Sequence, residues 1–258
     1  MAALKACNIL ITGANRGLGL EMVKQLAEMP CSNRQIFACS REPDSPKSEA
    51  LRELTKKHPN IIKTICLDVT NPVSIKEAAK KVGALTGKTG LNLLVNNAGL
   101  AKLGSTQNTT AEDMLAVFNT NVMGPFSVTQ EFLPYLQTAA KASGTPGLSC
   151  NKAAVINISS SLGSMTCFHE IYNIIQAFPY CVSKASLNMM TVLSAHDCKS
   201  DGILFAALHP GWVKTDMGGD QALIEAKESV AGMLHVMSTL TEKQTGVYLD
   251  YTGKTIPW

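Results

Sequence analysis

The stretch CNILITGANRGLGLEM, from Cys7 to Met22, decides the fold. A short aliphatic run leads into a turn that carries Gly13, Gly17 and Gly19, and a helical pattern follows directly. A helix that opens at such a turn presents free backbone N–H groups, and glycines let a diphosphate approach them closely. Three glycines in a turn are weak evidence alone, but their place between a first strand and a helix predicts a nucleotide site.

Further apolar runs follow this first one, and segments of helical period separate them. The seven candidate strands are 7–12, 35–39, 61–67, 91–96, 153–159, 203–208 and 246–250. Most are apolar on both faces, which is typical of strands covered by helices on each side. The alternation predicts one α/β domain over residues 1–258, built on a doubly wound parallel sheet of about seven strands.

The intervening segments predict helices and two irregular stretches. The helical segments are 17–29, 48–58, 74–85, 111–142, 179–198 and 222–240. Asn71 fits an N-cap, because Pro72 stands at the first helical position after it. The stretch 141–152 is too short to separate domains and is interpreted as a surface loop, while 162–178 precedes the 179–198 helix.

Composition excludes several classes of function. With 258 residues, 45% hydrophobic and 17% charged, the chain is expected to be globular. The 23 basic and 20 acidic residues give a net charge of only +3, and no basic cluster exceeds a pair, so a nucleic-acid partner is not expected. No apolar run approaches the ~20 residues of a spanning helix, so no membrane partner is expected either.

The cysteines bear on the cellular compartment and on metals. There are eight of them, scattered along the chain without a CxxC pair. In a chain of this length that pattern is typical of free thiols in a reducing compartment, and neither a disulfide framework nor a metal site is expected. We therefore expect a cytoplasmic protein.

The end of the second candidate strand bears on cofactor choice. An acid there would favour NAD, whereas a basic residue suits the 2′-phosphate of NADP. The strand ends FACSREP, with Arg41 before Glu42, and Arg16 lies inside the glycine turn. Two guanidinium groups can form forked hydrogen bonds to a phosphate, so NADP is favoured over NAD. The alternative is that Arg41 and Glu42 are solvated loop charges.

A phenol and an ammonium share one helix face in AFPYCVSKASLNMM (177–190). Tyr180 and Lys184 stand four positions apart, which places them one turn apart. A phenol with a reference pKa of about 10 is a poor proton donor at neutral pH, and a nearby ammonium stabilises its anion. The pair is expected to act in proton transfer, although this spacing also arises by chance.

Six segments together are highly specific. They are TGANRGLG (12–19), NNAG (96–99), NVMG (121–124), INISSSLG (156–163), YCVSK (180–184) and HPGWVKTDM (209–217). In order and approximate spacing the chain resembles the short-chain dehydrogenase/reductase family, over nearly its whole length. Within the family it is most similar to the sniffer and C-factor-like carbonyl reductases. The resemblance implies a Rossmann-type fold.

The resemblance also implies a catalytic tetrad of Asn121, Ser160, Tyr180 and Lys184. Tyr180 would be the general acid in carbonyl reduction, and Lys184 would hydrogen-bond the nicotinamide ribose and relay protons. Among three consecutive serines, Gly163 selects Ser160, because the family's catalytic serine has a glycine three residues later. Ser160 would polarise the substrate carbonyl, and Asn121 would help to hold a water for the relay.

The resemblance further implies a set of residues that contact NADP(H). They are Gly13, Asn15, Arg16, Gly17, Leu18, Gly19, Arg41, Asp68, Val69, Asn97, Ala98, Gly99, Tyr180, Lys184, Pro210, Gly211, Val213 and Thr215.

The interval between Ser160 and Tyr180 is longer than in many relatives. The extra residues fall in 162–178, which is rich in aromatic and aliphatic side chains. Two interpretations stay open: a substrate loop that admits ketones, aldehydes and quinones, or cover for the core or a subunit contact. By resemblance a homodimer is expected. The rival functions are a nucleotide-binding signalling or scaffold protein, and an NAD-dependent alcohol or steroid dehydrogenase.

Overall fold

The computed structural model describes residues 4–31 and 33–258, without the side chains of Glu170 and Ile171. Within these residues all strands of the sheet are parallel and lie in the order β3-β2-β1-β4-β5-β6-β7. The strands are β1 Asn8–Ile11, β2 Gln35–Ser40, β3 Ile62–Cys66, β4 Leu93–Asn96, β5 Ala154–Ile158, β6 Leu204–His209 and β7 Val247–Asp250. The predicted α/β class, parallel sheet and seven strands are confirmed.

Helices follow the strands along the chain. They are α1 Gly17–Glu28, α2 Glu49–Lys57, α3 Pro72–Thr86, α4 Ala111–Phe118, α5 Gly124–Ala142, α6 Phe168–Tyr172, α7 Phe178–Asp197 and α8 Ala226–Thr239. The predicted N-cap of α3 is confirmed, because the Asn71 side chain accepts hydrogen bonds from the backbone N–H of Val73 and Ser74. None of the described helices is long and apolar enough to cross a membrane.

Helices cover both faces of the sheet. Neighbouring residues of β1 point to opposite sides, as the pleat requires. Ile9 and Ile11 pack in one apolar core with Met22 of α1. Leu10 packs in a second core with Phe132 of α5. Because both faces of β1 are buried, the strand is apolar throughout, which explains the continuous run in the sequence.

The order in which strands are added to the sheet changes direction at β1. From β1 the chain proceeds outward to β2 and β3, and then returns to place β4 on the other side of β1. The carboxyl ends of β1 and β4 therefore border a crevice, with Ile11 opposite Val95 in the register. Ligands of open α/β sheets bind in such a crevice.

The stretch 111–142 is not the one continuous helix that the sequence suggested. α4 ends at Phe118, a π-helical turn covers Asn119–Met123, and α5 begins at Gly124. The Gly124 N–H donates to the Asn119 carbonyl, five residues back. Pro125 has no N–H to offer to the Asn121 carbonyl, four residues before it, which explains why the α-helical pattern breaks here.

Candidate active site

The glycine turn adopts a conformation that needs its glycines. Gly13 and Gly17 have φ angles of 64° and 52°, in the left-handed region. A Cβ at Gly19 would lie 2.3 Å from the Gly13 carbonyl oxygen and 2.7 Å from the Asn97 side chain. The turn is therefore compact, and it delivers the chain directly into the N-terminus of α1. A backbone surface of this kind fits a dinucleotide diphosphate.

The end of β4 supports this turn. The Thr12 hydroxyl accepts hydrogen bonds of 3.0 Å from the backbone N–H of Asn97 and of Ala98. The Asn97 side chain donates to the carbonyls of Thr12 and Gly13, at 2.9 and 3.2 Å. The two predicted cofactor segments are thus brought together by direct bonds across the β1–β4 crevice.

The segment 210–215 after β6, which was predicted to contact the cofactor, reaches the same crevice. Gly211 has a φ of 84°, and the Ser229 hydroxyl holds the Pro210 carbonyl at 2.6 Å. A Cβ at Gly17 would lie 3.5 Å from the Thr215 side chain, so the segment touches the glycine turn. The structure therefore assembles three separate predicted segments around one crevice.

The two arginines differ in their surroundings. Arg16 forms an ion pair of 2.6 Å with Asp216, in which both side chains are largely exposed. The pair bridges the glycine turn and the segment after β6. Arg41 is exposed just beyond β2. Asp68, on the adenine side by resemblance, accepts two hydrogen bonds from Thr70, which fixes the turn between β3 and α3.

The four predicted catalytic residues come from three different elements. Ser160 follows β5, Asn121 lies in the π-helical turn, and Tyr180 and Lys184 lie in the first turns of α7. Lys184 is only 5% exposed. Its Nζ donates a hydrogen bond of 2.7 Å to the Ile158 carbonyl and lies 5.4 Å from the centre of the Tyr180 ring.

Asn121 is fully buried, and its side chain makes three hydrogen bonds. Its Oδ1 accepts from the Leu100 N–H and its Nδ2 donates to the Leu100 carbonyl, both at 2.8 Å. The same Nδ2 donates to the Ser183 hydroxyl at 3.0 Å, and Ser183 donates to the Tyr180 carbonyl at 2.8 Å. Ser183 thus links Asn121 to α7. This link was not predicted from the sequence, although Ser183 lies between Tyr180 and Lys184.

The three serines have different environments. The Ser159 hydroxyl is buried and donates to Asn188 at 2.6 Å, which makes it structural. Ser161 begins a short 3₁₀ turn. Ser160 approaches the Tyr180 phenol, and its hydrogen bond counteracts part of the rise in the phenol's pKa. The local contacts agree with the choice of Ser160.

Gly163 has a steric reason to follow the serines. A Cβ there would lie 2.8 Å from the backbone carbon of Lys184 and 2.9 Å from its Cβ. Only glycine lets α7 approach the turn so closely, because any side chain would push the lysine away. Gly163, the residue by which the sequence pointed to Ser160, is thus also the residue that lets Lys184 lie against the serine turn.

Burial dominates the ionisation of the α7 pair. It raises the pKa of Tyr180 to about 12, against the smaller effect of the Ser160 hydrogen bond. It lowers the pKa of Lys184 to about 7. We expected the Lys184 ammonium to lower the Tyr180 pKa. This expectation is wrong, because the effect of burial on the phenol is larger. The spacing in the sequence predicted that Tyr180 and Lys184 are close, but it could not predict how far burial would shift their pKa values.

The stretch 162–178 folds against the loop after β4. It contains α6, and Gly104 pairs with Ala177 in a short parallel bridge, with the Gly104 N–H donating to the Gln176 carbonyl at 2.9 Å. Beside the bridge lies an open cleft of about 600 Å³. It is lined by Leu103, Gly104, Asn108, Asn173, Ile174, Ile175 and Gln176. Neither α6 nor this bridge has a recognisable signal in the sequence.

No metal-binding group of His, Cys, Asp and Glu side chains occurs in the part of the chain that the structure describes.

The fold and the assembled crevice agree with a family model. The model for short chain dehydrogenases matches residues 7–225. The chain therefore belongs to the short-chain dehydrogenase family, as its motifs predicted, and it is an oxidoreductase of that family.

Particular members of the family are similar over most of the chain. The NADPH-bound carbonyl reductase from chicken fatty liver superposes with a TM-score of 0.95 at 44% identity, covering 100% of this chain and 96% of that one. The carbonyl reductase Sniffer of D. melanogaster gives 0.91 at 34% identity, covering 98% and 100%. The C-signal protein of Myxococcus xanthus is 34% identical over 169 residues, 65% of this chain and 93% of that one. The predicted similarity to sniffer-like reductases is confirmed.

Proposed function

We propose that this chain reduces carbonyl compounds to alcohols with NADPH, and that Tyr180 donates the proton. The observation that carries the proposal is the convergence of Ser160, Tyr180 and Lys184 at the carboxyl end of β5, next to β4, with the Lys184 Nζ 5.4 Å from the Tyr180 ring. The compact glycine turn fits the diphosphate of the cofactor. When bound, NADPH supplies the hydride that the carbonyl carbon receives.

Each residue of the chain has a separate task in this reaction. The Ser160 hydroxyl orients the carbonyl oxygen, and the Tyr180 hydroxyl gives that oxygen its proton. A pKa of about 7 lets Lys184 hold or release a proton near neutral pH, so it can restore the proton that Tyr180 has lost. Asn121, which Leu100 and Ser183 fix by hydrogen bonds, helps to hold a water molecule for this relay.

Preference for NADPH over NADH rests on two guanidinium groups. Arg41 is exposed where β2 ends, and Arg16 lies in the glycine turn. Both can pair with a 2′-phosphate, although Arg16 must then share or release its partner Asp216. The NADPH-bound relative from chicken supports the same choice.

Ketones, aldehydes and quinones are the proposed substrates. The cleft beside 162–178 is open and carries the aliphatic side chains of Leu103, Ile174 and Ile175 next to amide groups. Such a surface accepts apolar carbonyl compounds of different shapes, since few charged groups select among them. The carbonyl reductases among the similar structures support this class.

A homodimer in the cytoplasm is part of the proposal. Exposed apolar side chains lie on α5 and α7, among them Phe126, Met189 and Leu193. Covering these helix faces with a second copy would remove apolar surface from water. The eight cysteines are all free thiols, which supports a reducing compartment.

Two other functions are tested by the same experiment. A nucleotide-binding signalling protein is suggested by the similarity to C-signal, and an NAD-dependent alcohol or steroid dehydrogenase would share the crevice. Fluorescence titration with NADPH and NADH, followed by turnover on ketones, aldehydes, quinones and steroids, separates the three. The proposal requires tighter NADPH binding and turnover of carbonyl compounds. Binding without turnover favours the signalling role, and equal affinities contradict the arginine argument.

A further inference from the structure

Tyr248 in β7 contacts the backbone of Ser160, the proposed catalytic serine. The side chain is only 1% exposed, although β7 is the edge strand of the sheet. Its hydroxyl donates a hydrogen bond to the backbone carbonyl of Ser160. The same carbonyl accepts from the Gly163 N–H at 2.8 Å. Both lone pairs of the Ser160 carbonyl are therefore occupied, which fixes the orientation of the peptide that carries the serine.

Trp258 holds Tyr248 in place. The two rings stack with centroids 5.2 Å apart and an angle of 23° between their planes. The Trp258 carbonyl accepts from the N–H and the hydroxyl of Thr166, at 3.2 and 2.8 Å. The Ser164 hydroxyl donates to the Pro257 carbonyl at 2.5 Å. The chain around Trp258 is thus fastened to the residues that directly follow the serine turn.

The opposite side of the turn is fixed from α7. Asn188 accepts from the Ser159 hydroxyl at 2.6 Å and donates to the Gly163 carbonyl at 3.3 Å. Ser160 is therefore held between α7 on one side and β7 on the other. The Ser160 hydroxyl itself makes one contact within the turn, accepting from the Leu162 N–H at 3.3 Å. Apart from this bond and the bond to the Tyr180 phenol, the position of the Ser160 hydroxyl is set by the backbone of the turn.

We infer that Tyr248 is a positioning residue for Ser160 and that Trp258 keeps it in that position. The inference rests on the proposed function, because it assigns a role toward the serine that orients the carbonyl. Tyr248 does not touch the reacting atoms through this bond, since its hydroxyl is directed at a backbone oxygen. Burial raises the pKa of Tyr248, so the hydroxyl stays protonated and remains a donor across the neutral range.

A double-mutant cycle tests whether Tyr248 acts through the serine. Tyr248→Phe keeps the stacked ring and removes only the donor, and we expect kcat/KM to fall about ten-fold, because small misplacements of a catalytic group are costly. NADPH affinity should change less than about two-fold. In a Ser160→Ala background the same substitution should lower kcat/KM less than about two-fold, because the group it positions is gone.

A second readout does not depend on turnover. Hydrogen exchange of the Leu162 and Gly163 amides should accelerate several-fold in Tyr248→Phe, because both amides bond to Ser160. The amides of β4 should be unaffected. Trp258→Leu, which keeps the Tyr248 hydroxyl but removes the stack, should accelerate the same two amides to a smaller extent. Tyr135→Phe in α5 is the matched control and should change neither rates nor exchange.

The outcomes separate this inference from the proposed function. Equal losses of kcat/KM with and without Ser160, or unchanged exchange at Leu162 and Gly163, would overturn the positioning role. If the unmodified protein turns over no carbonyl compound, the proposed function fails, and the exchange measurement alone then decides whether Tyr248 holds the turn. Should Tyr248→Phe fail to fold, Trp258→Leu replaces it in both measurements, with the same criteria.

Discussion

Lys184 contacts the end of β5, which leads to Ser160, and at the same time faces Tyr180. Its Nζ donates to the Ile158 carbonyl at 2.7 Å and lies 5.4 Å from the Tyr180 ring centre. Ile158 is the last residue of β5, so the Lys184 side chain lies between the Tyr180 ring and the end of the strand that Ser160 follows. Burial lowers the pKa of Lys184 to about 7, so this group can lose its charge near neutral pH.

Burial of Lys184 makes stability depend on pH. Its pKa is about 7 in the folded protein, against 10.5 as the ordinary value. Between these values the unfolded state binds more protons, so this group's contribution to the free energy of unfolding rises as pH increases from 7 to 10.5. Urea titrations at several pH values should show that Lys184→Met loses this rise.

The window for that measurement has an upper bound. Burial raises the pKa of the Cys39, Cys150 and Cys181 thiols from their ordinary value of 9, and that of Tyr180 from 10 to about 12. The folded state therefore keeps these protons, and their contribution to stability falls as pH rises above about 9. Comparison of wild type and Lys184→Met between about pH 7 and 9 avoids this opposing effect. Lys57→Met, at an exposed position of α2, is the control. A stability difference between wild type and Lys184→Met that is constant with pH would contradict the prediction.

Arg41 should determine the choice between the two cofactors. Arg41→Ala is expected to weaken NADPH binding about ten-fold, because a charged hydrogen bond to phosphate is lost. NADH binding should change less than about two-fold, since NADH has no 2′-phosphate. Fluorescence titration measures both. Lys56→Ala in α2 removes the same charge and should affect neither, and equal weakening of both cofactors by Arg41→Ala would refute the assignment.

Asn121 should matter for stability as well as for turnover. Asn121→Ala leaves the partly buried backbone groups of Leu100 without these partners, so we expect a loss of about 1 to 2 kcal/mol in the free energy of unfolding. Turnover should also fall. Asn173→Ala, at an exposed position, should change the unfolding free energy little. An Asn121→Ala variant as stable as the wild type would show that water replaces the lost bonds.

The proposed dimer face can be tested with a single charge. Leu193 in α7 is 57% exposed, and Leu85 in α3 is 46% exposed on another part of the surface. Leu193→Glu should dissociate a homodimer, because a charge would be buried without a partner, while Leu85→Glu should not. Sedimentation of the wild type at the mass of a single chain would contradict the dimer.

Much of the fold was predictable because its strands are short, doubly buried and separated by helices. Runs such as 35–39 and 203–208 differ by only a residue or so at each end from β2 and β6. The break at Asn119–Met123 follows from Pro125, which removes a backbone donor and so distorts the turn before it. The sequence does not show that the distorted turn is π-helical, because that depends on the partners its carbonyls find in the folded chain.

The candidate site was predictable where spacing determines proximity. Tyr180 and Lys184 lie one helical turn apart in any α-helix, so their juxtaposition needed no tertiary information. Tyr248 and Trp258 were not predictable, because they reach Ser160 only through the pairing of β7 with β6. The ion pair between Arg16 and Asp216 likewise joins residues 200 positions apart.

The central claim is that the Tyr180 hydroxyl supplies the proton in carbonyl reduction. Tyr180→Phe keeps the ring and removes that hydroxyl, and Tyr135→Phe is the control. With NADPH and a ketone, kcat should fall about 10²- to 10⁴-fold, while the NADPH dissociation constant should change less than about two-fold. A Tyr180→Phe variant that keeps most of the wild-type kcat would contradict the account.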